Sequence, residues 1–126
     1  MNKNEIGTII LDAAFYIHKN LGPGLLENVY EVILSKQLLK KGLSVQRQVS
    51  IPIIFEDEFF EEGFRADLFV EGKVIIELKS VEKITGAHKK QLLTYLKLTK
   101  TKLGYIINFG EELMKDGITR VINGKL

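Results

Sequence analysis

Asp67 and the run Glu77-Leu78-Lys79 set two carboxylates and an amine within a short stretch of chain. Glu77 and Lys79 are two apart in a segment that reads as a strand, so their side chains share one face. That segment, VIIEL at 74–78, is almost continuously apolar, the mark of a central strand covered on both sides. A carboxylate and an ammonium there are costly without a cleft or a cation to receive them. Two carboxylates beside a lysine at a sheet end can hold a hard divalent cation and orient a water for attack on a phosphodiester. The same residues also read as a Glu–Lys ion pair at the wet end of a strand, with Asp67 an unrelated surface acid.

The turn between the two strands decides between these readings. A two-residue loop at Glu71-Gly72 pairs residue 70 with 73 and sets Asp67 opposite Ile76, which sends the carboxylates to opposite faces. A three-residue loop, or a bulge near Gly72, pairs 67 with 77 and brings them together. The metal chemistry therefore predicts the extra residue, against the commoner two-residue turn.

Two further groups of residues could serve such a site. In GPGLLENVYE (22–31), two glycines permit a tight turn into a helix, and Glu27 falls in that helix's first turn. The helix dipole alone favours an acid there; alternatively Glu27 is another carboxylate facing the site. Tyr30, three residues on, shares its face. Later, His88, Gln91 and Tyr95 align at spacings of three and four, with Lys89, Lys90 and Lys97 close by. They read as groups that meet a phosphate backbone, or as a solvated stripe beside a core tyrosine. There is no nucleophile elbow, no Walker-type loop and no GxGxxG turn.

The elements that must carry these residues follow from periodicity. Apolar residues from Ile6 to Leu21 recur at helical spacing, predicting a helix over 4–20 with Asn2 and Glu5 as a capping box. A second helix is expected over 25–41, burying Leu26, Val29, Tyr30, Ile33, Leu34 and Leu38. Residues 45–55 alternate as a strand interrupted by Pro52, which suits an edge. The acidic cluster EDEFFEE (56–62) reads as the hairpin turn, followed by strands at 64–70 and 73–79. A third helix at 86–98, a strand at 103–109 and a last strand at 118–122 complete the order ααβββαβ(β). The expectation is a single α/β (α+β) domain over residues 1–126, one sheet with helices against it.

Composition narrows the chemistry. The chain has 126 residues, 45% hydrophobic and 27% charged, ordinary for one globular domain. It lacks cysteine, so a disulfide framework, a thiol nucleophile and Cys-ligated metals are excluded; with only His18 and His88, a His-rich cage is excluded too. No apolar run reaches membrane-spanning length, and no cleavable leader is legible, so no membrane partner and a cytoplasmic location are expected. The net charge of +2 conceals five carboxylates in 56–62 against a body of +7. A mildly basic body with one acidic tip fits a phosphate-bearing partner, or simply a well-solvated surface.

Taken in order, these motifs resemble the GxxExxY proteins, placed in the PD-(D/E)XK nuclease superfamily. Gly24, Glu27 and Tyr30 match the signature. FRADLFVEGKVIIELKSV resembles the family hairpin with its D…ExK set, HKKQLLTYLKLT its QxxxY helix, and LGYIINFG the strand after it; the likeness spans about residues 5–110. It implies a restriction-endonuclease-like core, a mixed four-stranded sheet flanked by helices. By that likeness Asp67, Glu77, the Leu78 carbonyl and Glu27 hold Mg²⁺ or Mn²⁺. Lys79 orients the attacking water, and Gln91 supports the site. Tyr30, His88, Lys89 and Tyr95 are the expected substrate contacts. The implied activity is metal-dependent hydrolysis of nucleic acid, DNA rather than RNA. The alternative is a catalytically silent module that keeps the fold to bind nucleic acid or a protein. A homodimer is a further expectation, with Phe59 and Phe60 a candidate contact, although core filling is the first reading of those two residues.

Overall fold

Asn2 accepts from the Glu5 backbone while the Glu5 side chain accepts from Asn2, so the first helix begins at the capping box the sequence predicts. A computed structural model describes residues 1–126, the Glu62 side chain excepted. Helix α1 (Lys3–Leu21) is followed by α2 (Glu27–Lys40), then strands β1 (Val45–Phe55), β2 (Glu58–Val70) and β3 (Val74–Lys79). Helix α3 (Gly86–Thr99), β4 (Leu103–Asn108), a 3₁₀ turn at Met114–Asp116 and β5 (Ile118–Ile122) complete the chain. Among the described residues, no helix is long and apolar enough to cross a membrane.

The strands form one mixed sheet in the order β1-β2-β3-β4-β5. Neighbours are antiparallel except β3 and β4, which run parallel and are joined through α3. The sheet thus has five strands rather than four, β5 adding an antiparallel edge beyond β4. Successive strand residues face opposite sides, and the core divides accordingly. Val74, Ile76 and Leu78 of β3, with Leu103, Tyr105 and Ile107 of β4, pack against α1 and α2. Ile75 and Ile106 pack on the other side against Leu92, Tyr95 and Leu96 of α3. Gly104 lets α3 come close: a Cβ there would stand 3.1 Å from Leu92.

Several boundaries differ from the sequence reading. Only Glu56 and Asp57 form the first hairpin's turn, both in the left-handed region, and β2 already starts at Glu58. The rest of the acidic cluster is therefore strand, because two left-handed residues suffice to reverse a hairpin. Phe59 and Phe60 are not core filling: they are exposed beside Ile54 and Phe55 at the tip of a hairpin that outruns the helices. On α2, Leu26 and Val29 are exposed while Glu31 is buried, so the helix presents a different face from the one its apolar residues suggest.

Candidate active site

The second hairpin closes through three residues. Val70 pairs with Val74, Phe69 with Ile75 and Leu68 with Ile76, the register that sets residue 67 across from 77. Glu71 and Gly72 both take positive φ, and Lys73 is the extra residue; its N–H donates to the Val70 carbonyl. Ser44 holds this turn, donating to the Glu71 carboxylate and accepting from the Glu71 N–H.

Past Leu68 and Ile76, side chains take over the cross-strand bonds. The Asp67 N–H donates to Glu77 Oε1 at 3.3 Å, and the Leu78 N–H donates to Asp67 Oδ2 at 2.7 Å. Each carboxylate occupies an amide of the opposing strand, so the two acids are fixed against one another by the backbone. Glu77 is only 5% exposed. Burial, and then the charge of Asp67, pushes its carboxyl up to about 9. Burial also raises Asp67, while the Leu78 N–H and the Gln48 amide draw it down and Glu31 raises it. At neutral pH the pair retains a proton because two buried, adjacent carboxylates resist joint ionisation.

Lys79 lies on the Glu77 face of β3 and is half-buried. The alternative Glu77–Lys79 ion pair does not form: among the described residues the one salt bridge joins Arg47 to Glu31. The lysine nonetheless favours the charged forms of Glu27, Asp67 and Glu77.

Helix α2 delivers Glu27 through a knot around its first turn. The Tyr30 hydroxyl donates to the Gly22 carbonyl and accepts from the Leu25 N–H, while its ring stacks on Phe109 with centroids 4.2 Å apart. Ser80, immediately after Lys79, donates to the Leu25 carbonyl at 2.8 Å. The knot ties the loop before α2 to the end of β3. Glu27 is largely exposed, yet partial burial and the charges of Asp67 and Glu31 raise its pKa while Lys79 lowers it, which places it within electrostatic reach of the site.

The other expected contacts are distributed unevenly. Tyr30 is wholly buried with its hydroxyl engaged, so it shapes the loop and has no face for a substrate. His88 closes the α3 capping box, its Nδ1 accepting from the Thr85 N–H. Lys89 beside it is exposed. Tyr95 is buried against Phe64, and its hydroxyl pKa is raised by burial and by the charges of Glu77 and Asp67; it sits near the acids. Gln91, one turn earlier, is half-buried and makes no hydrogen bond among the described residues.

Sequence reasoning missed three residues. Glu31 is 4% exposed; its Oε2 accepts from Arg47 Nε and Nη2 at 3.1 and 2.9 Å. Gln48 donates to Glu31 Oε1 and, at 3.3 Å, to Asp67 Oδ1. The available signal was Glu31 itself, an acid three and seven residues before Leu34 and Leu38 on the buried face of α2.

Among the described residues, no three His, Asp or Glu side chains stand close enough to enclose a cation, so Glu27 does not complete a ready cage with Asp67 and Glu77. The donor chemistry still fits a small hard dication, which binds through one or two carboxylates and keeps its waters. It would also offset the repulsion that holds a proton on this pair. No curated protein matches the chain. A family model described as the PD-(D/E)XK nuclease superfamily matches residues 4–121: the chain belongs to that superfamily, and its sheet and flanking helices are of the restriction-endonuclease-like kind.

Proposed function

With membership of the PD-(D/E)XK nuclease superfamily as the premise, we propose that this protein is a nuclease that hydrolyses phosphodiester bonds of DNA, rather than RNA, using Mg²⁺ or Mn²⁺. The observation that carries the reading is the reciprocal pairing of Asp67 and Glu77 across β2 and β3, with a lysine two residues on that makes no salt bridge among the described residues. We place the protein in the cytoplasm and within the GxxExxY group on its sequence signature.

The chain's own residues divide the work. Asp67 and Glu77 present hard oxygen donors, and Glu27 adds negative charge from α2. A bound dication supplies charge stabilisation at the phosphate and a more acidic water. Lys79 projects from the same strand face as Glu77, where its ammonium orients the attacking oxygen and offsets charge developing on the phosphate. Gln91 and Lys89 on α3 are assigned to contact with the phosphate backbone.

The test is incubation of metal-free protein with plasmid, linear and branched DNA and with RNA, in EDTA, Mg²⁺ or Mn²⁺. Cleavage of DNA that needs the metal and disappears in Glu77→Gln and Lys79→Ala supports the reading. Cleavage that persists in both variants, or none on any substrate, sinks it.

A second reading, a module that keeps the fold for protein interaction, has one observation in its favour. The β1–β2 tip exposes Ile54, Phe55, Phe59 and Phe60 together, and clustered exposed apolar side chains mark interaction surfaces. Self-association abolished by Phe59→Asp, with no turnover by the wild type, favours it.

A further inference from the structure

Gln48 interrupts the β1–β2 pairing between Arg47 and Val49. It is not glycine, yet its φ is +52°, in the left-handed region, in the middle of a strand. The strand changes faces there: Val45 packs on the α1–α2 side, Val49 and Ile51 on the α3 side. Opposite it, β2 changes faces at Asp67, with Leu68 on one side and Ala66 on the other. Such strain persists in a fold only where surrounding contacts over-determine it.

The contacts are those of its amide. The Gln48 NH₂ donates to Glu31 and to Asp67, two groups that accept only. Glu31 is itself held by two guanidinium nitrogens, Nε and Nη2, of Arg47, the preceding residue. Buried and neutralised, it presents a fixed oxygen to Gln48, and the second N–H of the amide is left aimed at Asp67 Oδ1. Asp67 Oδ2 is meanwhile tied to the Leu78 N–H. Both oxygens of Asp67 are thus oriented from outside the acid pair.

We propose that Gln48 is a positioning residue for Asp67, with the Arg47–Glu31 pair as its anchor. The proposal rests on the metal-dependent reading of the site. Outer groups that orient a metal-binding carboxylate typically alter metal affinity about 10–100-fold when removed. A Glu31–Arg47 pair that merely fastened α2 to β1 would have no such effect through Gln48.

Gln48→Gly separates the two, because glycine accepts the left-handed backbone while deleting the amide. Gln48→Asn is its companion: asparagine tolerates the conformation but is too short to span both carboxylates. The full chain, freed of metal, is melted in EDTA and titrated calorimetrically with MnCl₂. The expected result is that both variants remain folded at the titration temperature, with Mn²⁺ affinity lower by about 10–100-fold. Wild-type affinity in either variant overturns the proposal. If wild type itself binds no Mn²⁺, the nuclease reading fails, and a metal-free measurement decides Gln48. Its side-chain amide ¹⁵N–¹H resonances are expected to shift in Asp67→Asn and in Glu31→Gln. Resonances unmoved by both variants overturn the proposal independently of any metal.

Discussion

At its turn end the β2–β3 hairpin is sealed: Val70 faces Val74, Leu68 faces Ile76, all are fully buried, and the ladder is backbone to backbone. A few residues away the same strands present Asp67 and Glu77, whose carboxylates replace the ladder. The first arrangement is what folding favours, apolar surface out of water and amides paired. The second works against stability, because burial keeps a proton on groups that would ionise freely in the unfolded chain. A site that folding alone would replace with two more aliphatic residues is a site retained for another reason.

Substitutions should therefore act oppositely at the two ends. The largest effect is on chemistry at the open end: Lys79→Ala is expected to lower metal-dependent DNA cleavage about 10²–10³-fold, read as kcat at saturating substrate, with the melting temperature nearly unchanged. At the sealed end Ile76→Ala should cost about 2–5 kcal/mol in urea unfolding, by lost burial and a cavity, while the folded fraction keeps its activity. Equal losses of both properties at both ends would erase the distinction.

The next effect is a matter of pH. In the native state Glu77 releases its proton at about 9, against 4.5 when unfolded. Between those values the native state binds the extra proton, so stability falls as pH rises through the window, by at most about 1.4 kcal/mol per pH unit, and Glu77 contributes no slope outside it. Glu77→Gln should abolish this slope and melt above wild type at pH 8 in EDTA. A wild-type melting temperature that does not fall between pH 5.5 and 8.5 contradicts the buried-acid account. The smallest effect lies at the turn. Gly72 has φ +60° and open space around it, so Gly72→Ala should cost only the left-handed backbone strain, about 1–2 kcal/mol by chemical denaturation, with no change in cleavage.

How much of this was legible beforehand depends on distance along the chain. The capping box at Asn2 and the apolar core strand at 74–78 are local signals, and both are realised. The β2–β3 register was legible only as a choice between two turns. The three-residue loop is clasped by Ser44 to Glu71, 27 residues apart in sequence, a contact no local pattern announces. The brace of Arg47, Glu31 and Gln48 was signalled only by the acid on the buried face of α2, because its partners on β1 and β2 are distant in sequence and read as ordinary polar residues. Tyr30 and His88 show the converse. Their spacing aligned them with reactive neighbours, but hydroxyl and imidazole are engaged locally, one in a loop and one in a cap.

The Tyr30 knot reaches beyond geometry. Gly22 and Leu25 are made early in synthesis, while Ser80, which closes the clasp, emerges some 55 residues later. Until β3 has docked, the Leu25 carbonyl lacks the Ser80 hydroxyl that joins the loop before α2 to the lysine strand. A nascent or partly melted chain therefore carries every acid of the site before the contact that ties the α2 loop to the end of β3 has formed.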